Sequence, residues 1–382
     1  MTGWSGDEAS QRSRFLESAQ TAKDLHRPNC ANQHPRDCRS FASRPPPTVL
    51  GVVLHSHPAV TRQILLTGAT GFVGSRLYPV LAQRGFAVRC LTRDAAKARE
   101  RFPGRDWVEA DVADRASLRK ALDGCQAAYY LVHEMGTAGD FREREAGSAR
   151  AFAEAAAEAG LERIIYLGGV HPTAGASSEH LLSRARVGEI LASGSVPVIE
   201  LRASMIVGNG SLSFLIVRDL AARLPFMILP RWLDSRTEPV AIDDVLVALD
   251  RSLDLKLSRS EVFDIPGPEI LSGREILLRT ANALGLKHPL VVRVPVLTPG
   301  LSSHWVRFVT RAQWSVAREI VVGLTSDLLA EDDRFWSLVK HEKRLNFEEA
   351  AGRAIAEERQ PRSGLWSRAE TLMQSLRGGS AA

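Results

Sequence analysis

A doubly wound, parallel α/β sheet with a smaller C-terminal cap and a helical tail is predicted by three observations. Short apolar runs alternate with helical patterns from Gln63 to about Leu201. A glycine-rich segment, Gly68-Ala69-Thr70-Gly71-Phe72-Val73-Gly74, stands between the first apolar run and the first helix. Beyond Leu201 the alternation loosens into shorter elements. Strand–helix alternation at this pitch builds a parallel sheet with helices on both faces.

The elements follow in order. Ile64-Leu65-Leu66-Thr67 reads as a buried strand, and the helix after the glycine segment runs to about Arg84, where Gly85 ends it. Further strands are expected at Ala87 to Leu91, Trp107 to Ala110, Ala127 to Val132, Arg163 to Leu167 and Pro197 to Leu201. Helices are expected at 95–101, 114–122, 140–159 and 179–193. Alanine-rich Arg150 to Ala159 favours helix strongly, and Gly160 suits the left-handed residue that closes it. Later come a helix near 243–254, a strand near 261–265 and a helix near 272–284; from about Pro299 the pattern is mostly helical.

A chain of 382 residues exceeds one ordinary core, so one large domain with appendages, or two domains, is expected. The partition is a disordered tail over 1–60, a Rossmann core over 61–210, a substrate cap interleaved with it over 211–300, and a helical extension over 301–382. Hydrophobic residues at 45% and charged residues at 24% suit a water-soluble globular protein. The net charge of +5 is spread along the chain; it suits an anionic ligand and makes no nucleic-acid footprint. No apolar run reaches the roughly 18 residues of a spanning helix, and Met1 to Asp24 lacks the apolar stretch of a signal peptide. A cytoplasmic location is the expectation. Four cysteines make no disulfide framework. His26, Cys30, His34 and Cys38 recur at four-residue spacing, but Pro28 and Pro35 interrupt any helix that would align them, so a tail is expected there in place of a zinc site.

The glycine segment carries the chemistry. Gly68 permits a tight turn, Gly71 lets backbone approach a pyrophosphate, and Gly74 lets helix and strand pack closely. Thr70, Phe72 and Val73 complete the loop and begin the helix, whose free N–H groups and positive dipole end face the phosphates. A loop that merely needs flexible turns is the alternative. Arg93 follows the second strand, where an acid would grip the ribose hydroxyls of NAD; a guanidinium there suits the 2′-phosphate of NADP. Asp94 comes next, so NAD stays open as cofactor, and a solvated loop charge is the plain reading of Arg93. Asp111 and Val112 follow the third strand, where a carboxylate can accept the adenine amino group and the next N–H can meet a ring nitrogen.

On these residues the sequence resembles the short-chain dehydrogenase/reductase superfamily, and within it the atypical members. The shared order is Gly68–Gly74, Asp111-Val112, Tyr129-Tyr130-Leu131-Val132-His133, Arg163-Ile164-Ile165-Tyr166-Leu167 and Glu200-Leu201-Arg202-Ala203. Leu131 to Gly136, Asp140-Phe141, His180 to Leu191, Glu200 to Gly208, Pro230-Arg231-Trp232 and Ser235-Arg236-Thr237 look closer still to the YbjT-type NAD(P)H-binding proteins. The resemblance covers about residues 63–350. It implies cofactor contacts at Leu131, Val132 and His133, and its relatives include NmrA-like redox sensors and an accessory subunit of respiratory complex I.

Active members of the superfamily carry Tyr-x-x-x-Lys. Four residues after Tyr78, Tyr129, Tyr130 and Tyr166 stand Ala82, His133, Glu134 and Val170, so the motif is absent. On the helix that should bear it, His180 takes the Tyr position and Arg184 the Lys position. The upstream serine is replaced too, by Gly168-Gly169. Arg184 can still bind ribose hydroxyls. His180 can serve as the acid–base group, because imidazole titrates near 6.5 and an adjacent Arg lowers it; a helix-start histidine with no proton to transfer is the alternative. His133, Glu134 and His171-Pro172 end strands at the carboxyl edge, where such folds place ligands.

From Leu301 the residues Trp305, Phe308, Val309, Ala312, Val316 and Ile320 form one helical face, with Arg307, Arg311 and Arg318 elsewhere around it. Such a helix packs on its own domain or lies on a membrane surface or a partner. Two functions remain open at this stage. One is an NADP-dependent oxidoreductase reducing a carbonyl, imine or enone of an unknown small molecule. The other is a non-catalytic dinucleotide-binding sensor or assembly factor.

Overall fold

The structure is a computed structural model that describes residues 62–132, 141–171, 178–223, 226–286, 290–294 and 326–358. His26, Cys30, His34, Cys38, His133, Glu134, Pro172 and the apolar stripe of 301–320 lie outside them.

Seven parallel strands form the central sheet: β1 (Gln63–Leu66), β2 (Ala87–Thr92), β3 (Asp106–Glu109), β4 (Ala127–Tyr130), β5 (Arg163–Gly169), β6 (Val198–Ala203) and β7 (Glu261–Asp264). Their order is β7-β6-β5-β4-β1-β2-β3, so the winding direction reverses between β1 and β4. A crevice opens outside the carboxyl ends at such a reversal. The helices are α1 (Phe72–Gln83), α2 (Ala95–Arg101), α3 (Arg115–Leu122), α4 (Phe141–Glu158), α5 (Glu179–Ala192), α6 (Leu212–Arg223), α7 (Ile242–Ser252), α8 (Gly273–Ala283), α9 (Arg334–Leu338) and α10 (Phe347–Ala356).

Alternate strand residues feed two cores, as a period of two requires. Ile64, Leu66, Tyr129, Ile165 and Leu201 face α1 and α7. Leu65, Ala128, Tyr130, Ile164 and Val198 face α3, α4 and α5. Tyr129 is fully buried and its hydroxyl donates to the Leu249 carbonyl at 2.9 Å, fixing α7 on the sheet. Gly160, at φ +67°, closes α4 in the left-handed conformation that its position calls for.

A third core joins the cap, with Met205, Phe214, Leu271, Ile276, Phe347 and Ala351 packing between α6, α8 and α10. Capping boxes at Ser272/Glu275 and Asn346/Glu349 start α8 and α10. The C-terminal segment is stitched down by Asp244, which accepts Leu345 N–H at 2.9 Å and meets His341 Nε2 at 2.8 Å. Trp336, 2% exposed, donates to the Pro266 carbonyl and stacks edge-on against Phe335.

Five expectations shift. The fourth strand stops at Tyr130, short of Val132, because Leu131 N–H goes to the Thr67 hydroxyl and leaves the ladder. The fifth runs to Gly169 and the sixth to Ala203, since Gly168 and Gly169 continue the pairing opposite Arg202 and Ala203. α6 was not anticipated; it buries Arg218, Asp219 and Arg223 as well as Phe214 and Val217, so no polar stripe marks a helical period. The helical pattern expected after Pro299 is broken at 326–333 and 339–346, where the chain runs beside Thr237 and Asp244. Among the described residues no helix is long and apolar enough to cross a membrane.

Candidate dinucleotide and substrate site

The glycine loop is a backbone device. Gly68 sits at φ +64°, a region that side chains disfavour. A Cβ there would stand 2.6 Å from the Leu131 carbonyl oxygen. Gly71 N–H donates to the Gly68 carbonyl at 2.9 Å, and a Cβ on Gly74 would fall 2.3 Å from that same oxygen. α1 therefore begins directly against the end of β1. Its N-cap, Gly71, supplies no side-chain acceptor, which leaves the first-turn N–H groups directed outward. Thr67 anchors the turn: its hydroxyl donates to the Tyr129 carbonyl at 3.0 Å and accepts from Leu131 N–H at 2.9 Å. A cradle that any Cβ would fill, at an uncapped helix N-terminus, fits a pyrophosphate. Arg105 braces it from behind, donating to the Ser75 carbonyl at 3.2 Å and lying over Tyr78; no motif pointed to this residue.

A cavity of about 530 Å³ opens beside the loop at the carboxyl edge. It brings together Gly68, Gly71, Phe72, Val73, Gly74, Leu131, Val132, His180 and Arg184 from the expected set. Thr70, Arg93, Asp111 and Val112 do not line it. Arg93 is exposed just past β2, and Asp111 and Val112 follow β3, on the strands beyond β1 from the cavity. Asp94, the acid that left the cofactor open, caps α2 by accepting Lys97 N–H at 2.9 Å. One oxygen of Asp111 accepts Ala113 N–H at 2.9 Å within its own turn. His171 is half-buried and outside the cavity lining; burial, then Arg202, holds its pKa below the usual histidine range.

α5 carries His180 and Arg184, the pair expected at the Tyr and Lys positions. Ser178 caps it by accepting Leu181 N–H at 3.2 Å. One turn apart, His180 and Arg184 both face the cavity. Burial first, and the Arg184 guanidinium second, push the His180 pKa down to about 4. The ring is therefore neutral at pH 7. Arg184 donates to the Leu167 carbonyl, and its Nε lies 3.6 Å from where a Cβ on Gly169 would stand. A Cβ on Gly168 would come within 2.8 Å of Glu200, a buried carboxylate that pairs with Arg202 at 2.9 Å. Gly168 thus leaves room for the Glu200 carboxylate, whereas a Cβ on Gly169 would meet Arg184 only at ordinary contact distance. None of the four tyrosines lines the cavity. Tyr166 donates to the Arg184 carbonyl at 2.9 Å, and burial raises its pKa to about 12.

Further wall comes from Ala203 to Ile206 and Thr237, inside segments that carry the family resemblance, and from Gly210 to Ser213, Ile216, Val217 and Leu328, which no site expectation included. Most are apolar. Their only shared signal is position in the fold.

Comparison with known proteins follows the same lines. The pattern of a family described as NAD(P)H-binding matches residues 68–219. Ceramide reductase of Caulobacter vibrioides is 30% identical over 251 residues, covering 62% of this chain and 76% of that protein. Cinnamoyl-CoA reductase 1 of Oryza sativa is 31% identical over 130 residues, 31% of this chain. The chain spans only 38% and 32% of the length of the first two curated relatives, that rice reductase and a Synechocystis protein named as a putative dihydroflavonol 4-reductase. The same fold occurs in Bordetella bronchiseptica WbmH, solved with NAD+ (TM-score 0.58, 16% identity, 78% of this chain and 99% of that one). It also occurs in Streptomyces venezuelae DesIV, a dTDP-glucose 4,6-dehydratase solved as a double mutant with NAD (TM-score 0.60, 18% identity, 80% and 99%).

Two outcomes are expected. Gly68→Ala, clashing with Leu131, weakens NADPH binding at least about tenfold in a fluorescence titration, because the loop must open to accept it; unchanged affinity would contradict the cradle. The His180 prediction concerns stability. Between pH 6.5 and 4 the unfolded chain takes up a proton that the folded ring refuses, so stability falls as pH falls through that window. His180→Gln should lose less stability than wild type between pH 7 and 4 in denaturant titrations. Superimposable losses would show that the ring titrates normally.

Proposed function

We propose that this chain, which belongs to the atypical short-chain dehydrogenase/reductase superfamily, is an NADP-dependent reductase of a carbonyl or enone on a largely apolar molecule. One observation carries the reading: His180 and Arg184 face the same cavity as the glycine cradle, at the positions of the absent Tyr and Lys. The names of its relatives, among them a ceramide reductase and a cinnamoyl-CoA reductase, support reduction of that kind.

Bound NADPH would supply the hydride. The carbonyl carbon takes that hydride and the oxygen takes one proton, giving an alcohol. His180 acts as a neutral ring. With a pKa of about 4, only roughly one ring in a thousand is imidazolium at pH 7. It therefore polarises the carbonyl by a neutral N–H hydrogen bond, and the proton itself arrives from water. In the reverse direction the same path runs backwards: the ring N–H holds the oxygen while its proton leaves to water. Arg184, held against the Leu167 carbonyl, keeps the end of β5 in place and presents its charge to the ribose side. Apolar walls from Leu131, Val132, Ile216 and Val217 exclude water around the reacting atoms. Arg93, exposed beside an Asp94 already committed to α2, supports the preference for NADP over NAD.

One observation favours a second reading, a dinucleotide-binding sensor: no tyrosine reaches the cavity. NADPH oxidation across a panel of aliphatic and aromatic ketones and enones separates the two. The reductase turns over at least one compound, and His180→Ala lowers kcat about 100-fold while leaving NADPH affinity intact. Micromolar NADPH binding without turnover across the panel would establish the sensor. Arg93→Ala should lower the NADP-to-NAD affinity ratio about tenfold, and an unchanged ratio removes Arg93 from cofactor choice.

A further inference from the structure

Among the described residues, five with hydroxyl side chains line the cavity, and four of them are engaged. Ser178 caps α5, Ser204 donates to the Glu238 carbonyl at 2.7 Å, and Ser211 donates to the Ile206 carbonyl at 2.6 Å and meets Ser213 at 3.1 Å. The fifth is Thr237. It is 3% exposed, and its Oγ1 has no hydrogen-bond partner among the described residues. Buried polar groups are nearly always bonded, so one left open at a cavity wall calls for an explanation.

The backbone holds this side chain firmly. Arg236–Thr237 pairs antiparallel with Leu271–Ser272, and Leu328 bridges Thr237 from the other side. Leu328 N–H donates to the Arg236 carbonyl at 2.8 Å, and Arg236 N–H to Asp327 at 2.7 Å. Around it the cap wall is aliphatic, with Leu212, Ile216, Val217 and Leu328. Among the described residues, the lining contributed by the cap from Leu212 onward contains no charged side chain, so these residues offer an anionic group no counter-charge.

We propose that Thr237 Oγ1 is a substrate-binding group: it hydrogen-bonds a neutral amide or hydroxyl of an aliphatic substrate, apart from the carbonyl that reacts. The inference rests on the reductase reading for which carbonyl reacts, though not for binding. It sharpens the substrate class to an uncharged acyl-chain compound with a second polar group. The wall itself discriminates, because a chain lacking that group leaves the hydroxyl open, whereas one bearing it completes the bond.

The probe is N-hexylhexanamide, titrated calorimetrically into the full chain saturated with NADP+. Wild type binds it; Thr237→Val, of equal shape, binds about three- to tenfold more weakly, and Thr237→Ser keeps wild-type affinity. Without any ligand, Thr237→Val melts at or above the wild-type temperature, since it removes an unbonded buried hydroxyl. Three results would overturn the assignment: no binding by wild type, equal binding by Thr237→Val, or a lower melting temperature for that variant, which would mean that the hydroxyl is bonded within the fold. If the amide binds with the expected Thr237 dependence while no ketone oxidises NADPH, the reductase reading fails and the Thr237 assignment stands.

Discussion

The carbonyl of Gly68 is the point on which the site turns. It accepts Gly71 N–H and lies where a side chain on Gly74 would have to be, so β1 and α1 meet backbone to backbone. Thr67, one residue earlier, ties that junction to the end of β4 with two hydrogen bonds of its hydroxyl and one of its N–H. The same bond to Leu131 N–H ends β4, and the freed strand end becomes cavity wall. Turn, helix start and crevice thus share one small set of main-chain contacts. Disturbing any of them moves the others.

On α5, His180 and Arg184 stand one turn apart and face the same cavity. A phenol near pKa 10 needs a neighbouring cation to work at neutral pH, and a histidine does not. Yet the retained cation still acts: Arg184 and burial together drive His180 well below its usual range. The outcome is a ring that is neutral at pH 7 and faces the cavity. Gly168 leaves room for the buried Glu200 carboxylate, which a Cβ there would approach to 2.8 Å.

The cap contributes shape and polarity. Its core packs α6, α8 and α10 together, and a C-terminal strap runs back through Asp244 and Trp336 to the sheet. Residues from Ala203 to Leu328 therefore converge on one apolar wall. Within that wall a single rigidly held hydroxyl can distinguish substrates that bulk alone would not.

Local pattern determined a good deal by itself. Strand positions in the sheet, the ends of α4 and α5, the glycine cradle and the absence of Tyr-x-x-x-Lys are all readable from spacing and residue type, because each depends on neighbours a few residues away. His180 and Arg184 were legible as a pair for the same reason, being one helical turn apart. Tertiary structure decided what local pattern could not. The pKa of His180 depends first on burial, in a cavity whose walls include segments as distant in sequence as Thr237 and Leu328. α6 hid its period by burying charges, and Arg105 and Thr237 acquired their places through contacts some 30 residues or more away in sequence. Burial and long-range packing set the chemistry of a group, and neither is written in the few residues around it.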